Sequence, residues 1–392
     1  MERIILHCDL NNFFASVSLL YNQTLYNSPV AVCGDKEQRH GIVLAKNEIA
    51  KSFGVKTAEA IWEAKSKCPD LIILPPIYDK YEEFSKKAQE IYLRYTDKLE
   101  PFGIDECWLD VTGSTLLFGS GEDIANRIRE EIKAELGITV SVGVSFNKVF
   151  AKLGSDMKKP DGITVISPEN FRDKVWPLPV GDLLFVGGKT VQKLNSSGIF
   201  TIGDIANCEE DMLVRLFGKN GADLRRSALG EDNSPVKDIK DTQKPKSIGR
   251  SVTLSHDFTT TDEVWQTFIT LAEDVSSRLR HYSLFAGGVQ VHIRDTALHT
   301  REISHALDTP TDISLNIARA ALDIFKQNYD WALPLRSIGL RAISLKDNLS
   351  AVQQNFFADI EETEKSEKIE DSIHSIRKKF GEDSIKRART VK

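Results

Sequence analysis

Cysteine and methionine are scarce, with 5 Cys and 3 Met in 392 residues. The cysteines (Cys8, Cys33, Cys68, Cys107 and Cys208) are odd in number and scattered, and none forms a Cys-x-x-Cys pair. That argues against a disulfide framework and a thiolate zinc site, and fits a reducing, cytoplasmic compartment. Nowhere do the roughly 18 apolar residues of a membrane span run together, so no membrane is expected as a partner. The amino terminus reaches Asp9 before a secretory hydrophobic stretch can form. Thirteen prolines and 24 glycines are too few for collagen or low-complexity chain. No internal repeat is visible. Lys and Arg number 51 against 57 Asp and Glu, a net charge of −6. Such a balance does not advertise nucleic-acid binding, whose domains are usually basic, but a total averages over domains and is silent about patches.

What is present is globular material, 41% hydrophobic and 28% charged, long enough for two or three domains at about 150 residues each. The first third alternates short apolar runs with helical periodicity. Ile4 to Cys8 reads as a buried strand ending at Asp9, and Phe13 to Tyr21 as a helix. Strands are expected at 29–34 and 41–44, and helices at 47–53, 59–67 and 78–98. Glu100 to Val111 reads as a hairpin carrying Asp105 and Glu106, followed by a helix (122–136), strand (138–144), helix (148–157) and strand (162–166). Strand, helix, hairpin, helix, strand, with an insertion after the first strand, is the order of a ferredoxin-like sheet. Residues 167–231 are helical with short loops. Residues 232–246 are polar and proline-bearing, a linker. Residues 247–345 read as a separate α+β domain, and the charged remainder as a tail with a helix over 364–388. The fold class is therefore α+β and multidomain.

Asp9 ends the first strand, and Asp105 and Glu106 sit on a hairpin of the same sheet. Three carboxylates converging from strand ends suit a pair of Mg²⁺ ions, which take hard oxygen ligands and complete their shells with water and phosphate. Singly, Asp9 reads more readily as a strand cap and Asp105 or Glu106 as a solvated turn, but the three together at strand ends of one sheet favour the metal reading. Asn12, Phe13 and Phe14 follow at once. Large apolar residues at a helix start are usually core, yet beside a metal-binding Asp an aromatic can pack on a nucleotide sugar. Lys148, Lys152, Lys158 and Lys159 read as a solvated basic face, with phosphate binding as the alternative. Gly187 and Gly188 lie between two short helices. They suit a helix–hairpin–helix that meets nucleic-acid phosphates through main-chain amides, or a plain αα-turn.

Three runs resemble motifs of the Y-family, translesion DNA polymerases: Asp9-Leu10-Asn11-Asn12-Phe13-Phe14-Ala15-Ser16-Val17, Gly103-Ile104-Asp105-Glu106-Cys107-Trp108-Leu109-Asp110, and Val142 to Leu153 continuing through Lys159-Pro160-Asp161-Gly162. Lys246-Ser247-Ile248-Gly249-Arg250 resembles the start of the family's little-finger domain. The likeness spans residues 2–345 and leans to the bacterial polymerase IV branch. It implies a right hand with a ferredoxin-like palm (1–10 and 77–166), small fingers (11–76), a helical thumb with helix–hairpin–helix (167–231), a linker (232–246) and an α+β little finger (247–345), trailed by a charged tail (346–392).

The resemblance further implies an error-prone, template-directed polymerase. It would add deoxynucleoside triphosphates to a primer 3′-OH, bypass damaged bases and carry no proofreading site. Asp9, Asp105 and Glu106, with the Leu10 carbonyl, would hold two Mg²⁺. Phe14 would be the gate against a ribose 2′-OH, beside Asn12 and Phe13. Lys159 would bind the triphosphate, and Ile42 and Leu44 would roof the nascent base pair. Gly187, Gly188, Arg250, Arg336 and Arg341 would track primer–template DNA. One departure is marked. Glu48 and Lys51 stand where polymerase IV-like enzymes usually carry Tyr and Arg, a trait leaning toward the polymerase V catalytic subunit. In the tail, Gln353-Gln354-Asn355-Phe356-Phe357 resembles the bacterial sliding-clamp-binding peptide, and a monomer is the expected state. Two alternatives stand beside this reading: a palm-type nucleotidyl cyclase, and a non-catalytic DNA-binding relative.

Overall fold

The structure, a computed structural model, describes residues 2–35, 41–241, 244–347, 360–381 and 384–385. Two compact units emerge, one built from Met1–Gly34 and Gly41–Thr242 and the other mainly from Gln243–Lys392.

The first unit opens with β1 (Ile5–Leu10), α1 (Phe13–Leu20), β2 (Val30–Cys33) and β3 (Val43–Lys46). Next come α2 (Glu48–Ser52), α3 (Ile61–Lys67), β4 (Ile72–Leu74) and α4 (Tyr78–Tyr92). Strands β5 (Leu99–Pro101) and β6 (Glu106–Asp110) lead to α5 (Thr115–Phe118), α6 (Gly121–Leu136), β7 (Val140–Ser145), α7 (Lys148–Met157) and β8 (Ile163–Ile166). The main sheet has the order β5-β6-β1-β7-β8. In it β1 runs antiparallel to both neighbours, while β7 and β8 are parallel. Being central and covered on both faces, β1 buries all six residues. Tyr81, Tyr92, Ile124 and Ile128 belong to the core on one face, and α7 covers the other. Its approach is close, because a Cβ on Gly143 of β7 would overlap the Ala151 carbonyl. Helix α4 ends at Tyr92, short of the expected Lys98. The next residues are drawn to the sheet edge instead, with Asp110 N–H bonded to the Lys98 carbonyl at 3.1 Å. Ser120 and Asp123 cap α6 reciprocally, and Gly137 closes it at φ 68°. The 11–76 insertion forms a three-stranded sheet, β3-β2-β4.

Five helices follow: α8 (Phe171–Val175), α9 (Gly188–Ser196), α10 (Ile202–Asn207), α11 (Glu210–Phe217) and α12 (Lys219–Leu229). They share a core that includes Phe150, Leu153 and Phe171. The polar stretch beyond Gly230 does not hang free. Arg3 donates to the Ser234 carbonyl at 2.8 Å, Lys237 N–H donates to Glu100 at 3.0 Å, and Val236 is buried with Ile5, Trp108 and Ala151.

The second unit contains β9 (Ile248–Phe258), α13 (Thr261–His281), β10 (Ala286–Asp295), β11 (Thr300–Thr311), α14 (Ser314–Asn328), β12 (Leu335–Ile343) and α15 (Ile360–Phe380). Its antiparallel sheet has the order β11-β10-β12-β9, and residues of α13 and α14 share its core. The helix expected over 364–388 is α15, stopped by Gly381 at φ 94°. It is no loose tail. Glu370 is buried and accepts from Ser314 Oγ at 2.5 Å, and Arg377 pairs with Glu273 at 2.8 Å. Gln353, Phe356 and Phe357 lie outside the described residues. Among those described, no helix is long and apolar enough to cross a membrane.

Candidate active site

Antiparallel pairing sets Asp9 directly opposite Glu106. Leu10 N–H donates to the Asp105 carbonyl at 3.0 Å, which ties the hairpin to the end of β1. All three carboxylates therefore open on one cleft of about 390 Å³, lined also by Leu10, Phe14, Leu44, Lys46 and Lys159. Gly103 makes the hairpin's turn at φ 101°, a left-handed conformation suited to glycine.

Ammonium groups already pair with two of these acids, Asp9 and Glu106. Lys152 Nζ lies 2.8 Å from Glu106 and 3.3 Å from Asp9, and Lys159 Nζ lies 2.6 Å from Asp9. The expectation that Lys148 and Lys152 form a solvated face is corrected by their burial. Lys148 pairs with Glu100 at 2.8 Å and lies 4.3 Å over the Trp108 ring, while Lys152 sits beneath the carboxylates. Burial raises Asp9 to about 6 against the pull of both lysines. It raises Asp105 as well, with Glu106 adding to the effect. In Glu106 the same burial is outweighed by His7 and Lys152, which bring it down to about 2. Burial lowers His7 to about 4, so the imidazole is neutral.

Among the described residues no three acidic, His or Cys side chains are drawn into a closed metal-ligand set. The donors nonetheless suit a hard divalent cation. They are carboxylate oxygens on one cleft, and Asp9 and Glu106 already share one cationic group, the Lys152 ammonium.

The neighbouring residues divide. Asn12 starts α1 in a left-handed conformation, φ 48°, and donates to Glu48 at 2.9 Å. Phe13 is 2% exposed and belongs to the core, whereas Phe14 stacks on Tyr81 at the cleft. Lys51 is half-exposed and meets Glu48 at 3.4 Å. Among the described residues the insertion's cation on the cleft is Lys46, donating to Thr57 at 2.9 Å, a residue the sequence reading missed. Strand alternation was the available signal: Leu44 and Lys46 share a face of β3. Elsewhere in the unit, Gly187 caps α9 and Gly188 begins it, with open space where their side chains would be. In the second unit Arg341 stands opposite Gly249 and Gln290. Arg250 pairs with Asp274 at 3.0 Å, and Arg336 lies on β12 with Arg341, at the strand's register shift.

Residues 8–156 match the impB/mucB/samB family, and residues 245–356 its C-terminal domain. The chain is 50% identical over 388 residues to DNA polymerase IV of Acetivibrio thermocellus, covering 99% of this chain and 97% of that one. The chain belongs to the DNA polymerase IV family. It is also 37% identical over 391 residues to DNA polymerase IV 1 of Bacillus subtilis, covering 100% of this chain and 94% of that protein. A solved Y-family DNA polymerase, a chimera of Dbh and Dpo4, superposes with a TM-score of 0.79 at 25% identity, covering 88% of this chain and 100% of its own. The Y-family right-hand architecture is thus the chain's own, and its activity is DNA-directed DNA synthesis of the translesion class on primer–template DNA with deoxynucleoside triphosphates. Divalent-metal catalysis comes with the family. Neither the cyclase nor the non-catalytic alternative is favoured.

Proposed function

We propose that Asp9, Asp105 and Glu106, with the Leu10 carbonyl, hold two Mg²⁺ for nucleotidyl transfer. The observation supporting this is the facing of Asp9 and Glu106 across β1 and β6 beside Asp105. Bound there, the cations supply positive charge at the attacking 3′-oxygen and the leaving pyrophosphate. The protein's own part is positioning and electrostatics. Lys159 and Lys46 flank the cleft as point charges for triphosphate oxygens. Phe14 walls the sugar's 2′ side, with Asn12 beside it, and Leu44 covers the nascent pair. Lys51 is a weaker phosphate contact, because Glu48 engages it.

The blocks read from the sequence would serve as palm (1–10 and 77–166), fingers (11–76), thumb (167–231), linker (232–246), little finger (247–345) and tail (346–392). Gly187 and Gly188 would meet DNA phosphates through main-chain amides, and Arg250, Arg336 and Arg341 would serve the duplex from the little finger. Gln353, Phe356 and Phe357 would engage a sliding clamp, because paired aromatics in a polar stretch otherwise lack a purpose. A monomer suffices for all of this. Primer extension with Mg²⁺ tests the metal reading. Asp105→Asn should lose at least 10³-fold in rate while binding primer–template as the wild type does; extension within tenfold of wild type removes Asp105 from the site.

A further inference from the structure

Two residues before Asp9 on β1, His7 is fully buried (0% exposed). In register it faces Trp108 of β6 and Gly143 of β7, with the indole 5.3 Å away and edge-on. The close seating of α7 over Gly143 seals the imidazole from water. Its two nitrogens have different surroundings. Nδ1 lies 2.9 Å from Ser155 Oγ. Nε2 has no hydrogen-bond partner and faces Glu106 Oε2 at 3.5 Å. The other oxygen of that carboxylate, Oε1, accepts from Lys152 at 2.8 Å.

Proton counting decides what Nε2 does. Ser155 Oγ also lies 2.7 Å from the Lys152 carbonyl, within donating distance of it. A hydroxyl has one proton. While Ser155 spends it there, Nδ1 must donate to Oγ, and a neutral ring then turns a bare Nε2 toward a carboxylate oxygen. Two acceptors facing each other in a buried place are costly. Turning the hydroxyl proton onto Nδ1 removes the conflict. The Lys152 carbonyl keeps its place in the main-chain bonding of α7, and the ring proton moves to Nε2, aimed at Glu106.

We propose that His7 is a positioning residue for Glu106: its Nε2–H holds Oε2 while Lys152 holds Oε1, and Ser155 selects the tautomer that makes this so. This rests on the reading of Glu106 as a metal ligand. Partners beyond the ligands themselves fix carboxylate orientation, and their loss costs roughly 10–100-fold in metal affinity.

The test uses the full-length protein and Mn²⁺ alone, with affinity read by electron paramagnetic resonance and the ring tautomer by ¹⁵N NMR of histidine-labelled protein. In the wild type His7 should carry its proton on Nε2. His7→Leu should weaken Mn²⁺ binding about tenfold or more. His7→Gln, which keeps a donor near the Nε2 position, should recover affinity to within a few-fold. Ser155→Ala should mix the tautomers and weaken binding by less than His7→Leu does. Glu106→Gln separates the two readings. If it loses affinity while folded His7→Leu stays within twofold of wild type, the positioning role is overturned and the ligand role stands. If Glu106→Gln itself binds Mn²⁺ as the wild type does, both fall. Should His7→Leu fail to fold, a proton found on Nδ1, or no recovery in His7→Gln, overturns the proposal.

Discussion

Phe14 lies face to face on Tyr81, ring centroids 4.1 Å apart and planes 8° from parallel. Tyr81 is fully buried and its hydroxyl is bonded to Ser18 at 2.7 Å, so α1 and α4 pin the ring that backs Phe14. Tyr78 closes the other side edge-on at 6.1 Å. A gate works by refusing to move, and a Phe14 serving as one would have little room to rotate. Phe14→Ala should therefore admit ribonucleotides on the order of 10² more readily, the scale on which a pocket senses one hydroxyl. Tyr81→Leu, which keeps Phe14 but removes its stacked support, should relax selectivity by less, and Tyr81→Phe should not. Single-nucleotide incorporation of rNTP against dNTP measures all three. Unchanged selectivity in Phe14→Ala removes the gate assignment.

Lys152 sets a second expectation. It is mostly buried and serves Asp9 and Glu106 together. Replacing it with Met leaves two buried acids facing each other, with Lys159 and His7 as their remaining partners. Breaking one partner out of a buried ion cluster should cost about 3 kcal/mol. Saturating Mg²⁺ should return more of that loss to Lys152→Met than it adds to the wild type, because the cation replaces the missing charge. Calorimetry with and without Mg²⁺ reads this directly. Equal Mg²⁺ stabilisation of both proteins would mean that the ion does not bind at these carboxylates.

Lys46 and Lys51 should not be equivalent. Lys46 lines the cleft and is partly buried, its pKa lowered by that burial and by Lys51. Lys51 is half-exposed and engaged with Glu48. Lys46→Ala should raise KM for dNTP roughly tenfold, the worth of one charge-assisted contact, with a smaller change in kcat. Lys51→Ala should raise it less than threefold. Steady-state kinetics on an undamaged template decide between them, and a larger effect from Lys51 would reverse the assignment.

How much of this was legible depended on the range over which the signal acts. The strand ending at Asp9, the hairpin with Asp105 and Glu106, and α7 over 148–157 follow from local periodicity and turn chemistry, and each stands close to where it was expected. Lys152 did not, because nothing near position 152 tells that α7 lies under a carboxylate 143 residues away in sequence. A lysine on a helix looks solvated until the sheet is assembled. His7 was similarly hidden inside an apolar run. The end of α15 was legible in Gly381, whose left-handed backbone stops the helix, yet the helix was expected to run past it to 388. The polar stretch after Gly230 misled for another reason. Its two isolated apolar residues, Val236 and Ile239, carry no periodicity, but both find a core to join.

That stretch yields the last expectation. Glu100 accepts from Lys148 Nζ at 2.8 Å and from Lys237 N–H at 3.0 Å, so one carboxylate ties α7, the strand edge and the chain leading out of the first unit. Lys148 is only 9% exposed. Its remaining stabilisation without Glu100 is the face of Trp108 at 4.3 Å, which offsets part of a desolvated charge but not all of it. Glu100→Ala should destabilise by about 3–5 kcal/mol, the usual cost of orphaning one member of a buried pair. Glu100→Gln keeps an acceptor for both donors and should lose less. The two variants should also differ locally: Glu100→Ala frees the Lys237 main chain, so protease cleavage near residue 237 should accelerate beyond what the fall in global stability explains, whereas Glu100→Gln should be cut at nearly the wild-type rate. Thermal melts paired with limited proteolysis measure both, and equal cleavage rates in the two variants would mean that Arg3, Val236 and Ile239 hold the chain down without the Glu100 bond.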